Sequence, residues 1–217
     1  MIITTKKDYA VVKKFLESYG KNVVVVGCGS CAALSGTGGE PEVKAMVEQL
    51  KKDGFNVVHS LILDEVCDNR LVKTEFKKVE DKIQAANVIL SMACGVGGQS
   101  LVTMIPNKPM VVSNDTQFLG MTERIGRWYE KCRACGDCLL NETGGICPIA
   151  TCAKGLLNGP CGGTVDGKCE ARKYQDPCGW IQIYKQLKAL NRLDLFKKVR
   201  APRAYTESGR QRSIILR

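Results

Sequence analysis

A chain of 217 residues, 44% hydrophobic and 25% charged with a formal net charge of +10, is long enough for one good core plus an appendage. Its mean hydropathy is mildly negative and no stretch approaches the roughly 18 apolar residues of a membrane helix, which argues against a membrane span. With twelve cysteines but a single histidine, the composition also argues against a hydrolytic or cysteine-nucleophile enzyme, which normally wants a histidine base.

The first 120 or so residues alternate helix-like and strand-like patterns in the manner of a βαβ sheet. A helix over Asp8 to Tyr19 leads to a buried strand, Asn22 to Val26. Pro41 in a first helical turn opens a helix over Glu42 to Asp53, and Gly54 ends it. A strand at Phe55 to Leu63, a charged helix over Val72 to Ala86 and a strand at Val88 to Met92 repeat the pattern. A shorter helix over Gln99 to Ile105 and a strand at Pro109 to Ser113 complete it. Four short apolar strands with crossover helices predict a Rossmann-like parallel sheet, so the fold class is α/β. After Trp128 the text turns to glycine, proline and cysteine, which predicts a small, irregular, ferredoxin-like domain. The division falls at 1–122 and 123–217. Near the C-terminus, Trp180, Ile183, Tyr184, Leu187, Leu190 and Leu193 recur at helical spacing and predict an amphipathic helix packed on its own domain.

Eight of the twelve cysteines crowd between Cys132 and Cys178. The run Cys132-x-x-Cys135-x-x-Cys138, with a Cys147-Pro148 pair after it, has the spacing of an iron–sulfur ligand loop, stretched before the last cysteine. Three thiolates two residues apart on a curling loop can each reach a different iron while the backbone wraps one face. Cys152, Cys161, Cys169 and Cys178 supply a second four-thiolate set. Nearby glycines, Gly144, Gly145, Gly155, Gly159, Gly162 and Gly163, permit the close backbone approach that amide-to-sulfur hydrogen bonds require. A disulfide framework would need an oxidising compartment, and Met1 to Lys7 carries neither an apolar core nor a cleavage signature; the expected location is cytoplasmic. Structural zinc is the stronger rival, since four thiolates hold it as readily, although zinc ribbons usually show two separated pairs.

The remaining cysteines, Cys28, Cys31, Cys67 and Cys94, fall at or just beyond the carboxyl ends of predicted strands, where open parallel sheets place ligands. Together they offer a further four-cysteine metal site. Nucleotide binding is the competing reading, because Gly27-x-Gly29-x-x-Ala32 satisfies a relaxed dinucleotide fingerprint and Ser35 to Gly39 could cradle phosphate. The acidic residue expected about 20 positions on is poorly placed, Asp53 lying in a helix and Asp64 too far. Ordinary structural thiols are the third reading. His59, inside a strand, reads as core or surface rather than ligand.

Charge is unevenly spread, with ten Lys or Arg against two acids from Ile181 to Arg217. That tail is a solvated surface, a steering patch for an acidic redox partner, or a nucleic-acid contact. The last has no recognition motif or aromatic interleaving behind it, so no nucleic acid is expected.

The string Cys132-Arg-Ala-Cys135-Gly-Asp-Cys138, then Gly-Ile-Cys147-Pro-Ile-Ala-Thr-Cys152 and Gly-Pro-Cys161-Gly-Gly163, resembles the cysteine-rich methylenetetrahydrofolate reductase C-terminal domain family. Gly27-Cys28-Gly-Ser-Cys31 and Ser91-Met-Ala-Cys94-Gly resemble the rest of the MetV-type small iron–sulfur subunit of two-subunit bacterial reductases, so that the resemblance spans nearly the whole chain. It implies an electron-transfer subunit with two or three [4Fe–4S] clusters, or zinc in one site, docked on a flavin-bearing TIM-barrel subunit. That partner would hold the flavin and reduce 5,10-methylenetetrahydrofolate to 5-methyltetrahydrofolate in the acetogenic methyl branch, the Wood–Ljungdahl pathway. A low-potential donor such as ferredoxin would supply electrons. A scaffold with inert metal, linking the reductase to larger redox machinery, is the alternative.

Overall fold

The computed structural model describes residues 1–204 and 211–215. The chain separates into two compact units, Met1–Tyr129 and Glu130–Arg217.

In the first unit, β1 (Ile2–Lys6) precedes α1 (Tyr9–Glu17), whose N-cap Asp8 accepts the amide of Ala10. The valine run then forms β2 (Asn22–Cys28). A short α2 (Cys31–Leu34) follows, and α3 (Glu40–Lys52) carries Pro41 in its first turn and Glu42 reaching back to the amide of Gly39. Next come β3 (Asn56–Leu63), α4 (Asn69–Lys78), α5 (Glu80–Ala85), β4 (Val88–Ser91), α6 (Gly95–Met104) and β5 (Met110–Val112). Strands β2 to β5 form a parallel sheet in the order β3-β2-β4-β5, as the sequence pattern predicts. β2 and β4 occupy its centre, and Val23 to Val26 and Val88 to Leu90 are fully buried. One face packs Val24, Val26 and Ile89 with Leu63, Val72 and Leu101; the other packs Val23, Val25 and Leu90 with Leu16, Leu50 and Phe55. Burial on both faces explains why these strands read as continuous apolar runs.

Two features depart from the sequence expectation. The single helix expected over Val72 to Ala86 is broken at Val79, whose φ of −128° and ψ of 26° lie outside the helical region. β6 (Asn114–Arg124) and β7 (Arg127–Cys132) form a hairpin beside β1, in the order β1-β6-β7, with β1 antiparallel to β6.

The second unit has little regular structure. It contains α7 (Pro148–Thr151), the two-residue strands β8 (Thr164–Val165) and β9 (Lys168–Cys169), a 3₁₀ turn over Glu170–Arg172, α8 (Gly179–Ala189) and α9 (Leu193–Phe196). α8 is the expected C-terminal helix. Trp180, Ile183 and Leu187 on its inner face are buried, and Trp180 stacks edge-on against Phe196 with ring centroids 5.9 Å apart. Arg210 and Arg217 of the basic tail lie outside the described residues.

Candidate thiolate sites

β2 ends on Cys28, the loop after β3 carries Cys67, and Cys94 caps α6 just beyond β4. The parallel topology therefore delivers three of the four N-terminal cysteines to one edge of the sheet. Cys28 and Cys94 are each 5% exposed, while Cys67 lies at the rim. Burial pushes the Cys67 thiol up from its ordinary value, and neighbouring Cys94 and Cys28 push it further, because each thiolate opposes the next. Cys31 begins α2 and its sulfur accepts the amide of Ile2 at 3.4 Å.

The glycine turn is explained by packing. A Cβ on Gly27 would lie 2.5 Å from Val43 and 2.7 Å from the carbonyl of Gly38, whereas one on Gly29 would meet only ordinary contacts. The Ser35–Gly39 loop is turned inward as well. Ser35 accepts the Thr4 amide and donates to the Cys31 carbonyl, and the Thr37 hydroxyl meets that of Thr4 at 2.6 Å. Hydroxyls committed in this way do not face a phosphate, and the fingerprint reading loses its support. His59 lies in β3, half-buried.

In the second unit the Cys132 loop turns through left-handed backbone at Ala134 (φ 49°) and Gly136 (φ 85°). This curl lets the Ala134 amide donate to Cys132 Sγ at 3.3 Å. Cys132 and Cys138 are exposed and Cys135 is half-buried. Burial raises the Cys135 thiol, but a backbone hydrogen bond with Asp137 and the Arg203 guanidinium outweigh it and hold this thiol below its ordinary value. Arg203 comes from the basic tail. Its Nη1 donates to Cys135 Sγ at 3.4 Å and its Nη2 to the Cys135 carbonyl at 3.5 Å.

The later cysteines surround α8. Cys178 is its N-cap, and Cys152 and Cys169 pack with it in the apolar cluster built on Trp180, Ile183 and Leu187. Cys147 and Cys152 bracket α7. Cys161 stands apart and exposed, its thiol donating to Glu170 Oε1 at 3.5 Å, and Glu170 also pairs with Lys154. All twelve cysteines are free. Among the described residues no three His, Cys, Asp or Glu side chains converge closely enough to grip a metal ion as they stand. The donor set nonetheless fits soft, thiolate-binding metal: thiols free of disulfides, with amide or guanidinium donors at three of the sulfurs, Cys31, Cys132 and Cys135. What sequence reasoning missed is the return of the tail arginines to the Cys132 loop. The positive charge was visible, but its destination depends on the tertiary fold.

These features define an α/β protein carrying a thiol-rich, irregular second unit. Residues 111–206, which contain eight of the twelve cysteines, match the family described as methylene-tetrahydrofolate reductase C terminal. The chain thus carries a domain related to that reductase. Comparison with the curated proteins and with the solved structures finds no match. Among the described residues no helix is long and apolar enough to cross a membrane.

Proposed function

We propose that this chain is the iron–sulfur electron-transfer subunit of a methylenetetrahydrofolate reductase, of the MetV type, working in the cytoplasm with a flavin-bearing subunit. The observation that carries the reading is the concentration of eight free cysteines in the stretch related to the reductase, arranged around a curled loop and around α8. Cys132, Cys135, Cys138 and Cys147 would hold one [4Fe–4S] cluster and Cys152, Cys161, Cys169 and Cys178 a second. Cys28, Cys31, Cys67 and Cys94 would hold a third cluster or zinc. Bound clusters supply reversible one-electron chemistry, which a flavoprotein partner converts to a two-electron reduction. The chain's own residues provide the cage: the Ala134 amide and Arg203 offer donors to sulfur, and the apolar side of α8 shields Cys178 and packs against Cys152 and Cys169. Substrate reduction would belong to the partner.

The test mixes the anaerobically reduced, reconstituted chain with the oxidised flavin-bearing subunit and follows flavin absorbance. Bleaching that requires the loaded chain supports electron transfer. Metal that remains inert toward the flavin would leave a scaffold.

A further inference from the structure

The basic tail is not simply a solvated surface. Arg200 is held at its backbone by both ends of the Asn158 amide, which accepts from the Arg200 N–H at 2.8 Å and donates to the Arg200 carbonyl at 2.9 Å. Its guanidinium spans two acids of the cysteine-loop region, Asp137 at 2.6 Å and Glu142 at 2.8 Å. Three residues on, the Arg203 side chain is only 5% exposed, with Nε 3.6 Å from Asp137 and the two Nη contacts on Cys135 already described. Arg212 donates to the carbonyl of Ala134 at 2.6 Å and covers Gly136, where a Cβ would meet it at 2.6 Å. Arg200, Arg203 and Arg212 of the basic tail thus all bond to residues lying between Ala134 and Glu142.

We propose that this arm is a strap for the Cys132 loop and that Arg203 is its positioning residue, whose fixed charge makes the loop's cluster easier to reduce. The inference rests on the electron-transfer reading above. Accepting one electron from a one-electron donor, without a proton, leaves the sulfur-ligated site one charge more negative. A guanidinium withdrawn from solvent beside a ligand sulfur favours that state, because neither water nor salt screens it fully. Hydrogen bonds to ligand sulfur act in the same direction. Arg200, paired twice and clipped at its backbone, fixes where Arg203 sits.

The experiment is a redox titration of the anaerobically reconstituted full-length chain, followed by EPR, for wild type, Arg203→Gln and Arg203→Lys. The inference expects one signal to shift to more negative midpoint potential in R203Q, the others to stay, and R203K to recover most of the shift. Loss of on the order of four irons from R203Q, with R203K retaining them, equally shows that the arm holds the loop. Unchanged iron and unchanged midpoints in R203Q overturn the inference alone, as does an R203K shift as large as that of R203Q. A wild-type chain with no reducible signal overturns the function itself and takes the inference with it.

Discussion

A Cβ placed on Gly38 would lie 1.8 Å from the carbonyl oxygen of Met92, so the loop after α2 can rest on the end of β4 only where there is no side chain. The same glycine accepts the Cys28 amide at 2.9 Å, and Met92 lies two residues before Cys94. Gly38 therefore sets the spacing between Cys28 and Cys94. Because the obstacle is backbone, relief requires the loop to move. Gly38→Ala is expected to cost about 1–3 kcal/mol by overpacking and to reduce metal uptake by the first unit. Chemical denaturation and metal analysis of the variant check both, and wild-type values in both would refute the spacing role.

The second unit depends on Trp180. It is 5% exposed, donates from Nε1 to the Leu156 carbonyl at 3.0 Å, and packs where Cys152, Cys169 and Cys178 meet α8. Trp180→Ala removes a large buried ring and is expected to cost about 3–5 kcal/mol. Trp180→Phe keeps most of the volume but leaves the Leu156 carbonyl without its donor, at about 1–3 kcal/mol. Equilibrium unfolding should rank wild type above Trp180→Phe and Trp180→Phe above Trp180→Ala, and equal stability of the two variants would contradict the packing role.

Acid should loosen the first unit. Hydrogen bonds from Tyr9, Gln49 and Lys13 hold the Asp53 carboxyl well below the usual carboxylate range, and Arg70 with its own amide pulls Asp68 down to about 2. A depressed folded-state value contributes stability above the unfolded value of about 3.9, and that contribution disappears as pH falls through the folded value. For Asp68 the loss runs from about pH 4 to about 2, and for Asp53 it continues lower. Asp68→Asn should lower stability at neutral pH and flatten the acid limb of a thermal-melt series in that window. An unchanged acid limb would contradict the assignment.

Thiol reactivity should report loading. In the metal-stripped chain, exposed Cys132, Cys138, Cys161 and Cys67 should alkylate early, and buried Cys28, Cys94 and Cys178 late. Loading should protect the exposed group as well, because metal-bound thiolates are withdrawn from the reagent. Mass mapping of the modified sites under native conditions gives the pattern. Equal labelling of Cys132 and Cys138 before and after loading would exclude them as ligands.

Much of this architecture was legible. The valine and isoleucine runs announced β2 and β4 because both faces of the sheet are covered, and Pro41 and Gly54 punctuated α3 through their backbone constraints. Cys28 and Cys94 could be placed at strand ends for the same reason. β1 was not legible, since Ile2–Lys6 is short, half polar, and paired with residues more than a hundred positions away. β6 hid behind polar residues such as Asp115, Thr116 and Gln117, which stay exposed even though β6 is the central strand of its small sheet. Nothing local marks the break at Val79; neither glycine nor proline is there. The arginine strap was invisible for a related reason: its partners, Asp137 and Cys135, lie more than sixty residues upstream, and charge composition gives no direction.

The most direct test of the central claim is a count of iron, zinc and acid-labile sulfide per chain after anaerobic purification, with EPR of the dithionite-reduced sample. The account predicts about eight to twelve irons, matching sulfide and reducible [4Fe–4S] signals. Zinc in place of iron, with little sulfide and no signal on reduction, would contradict it.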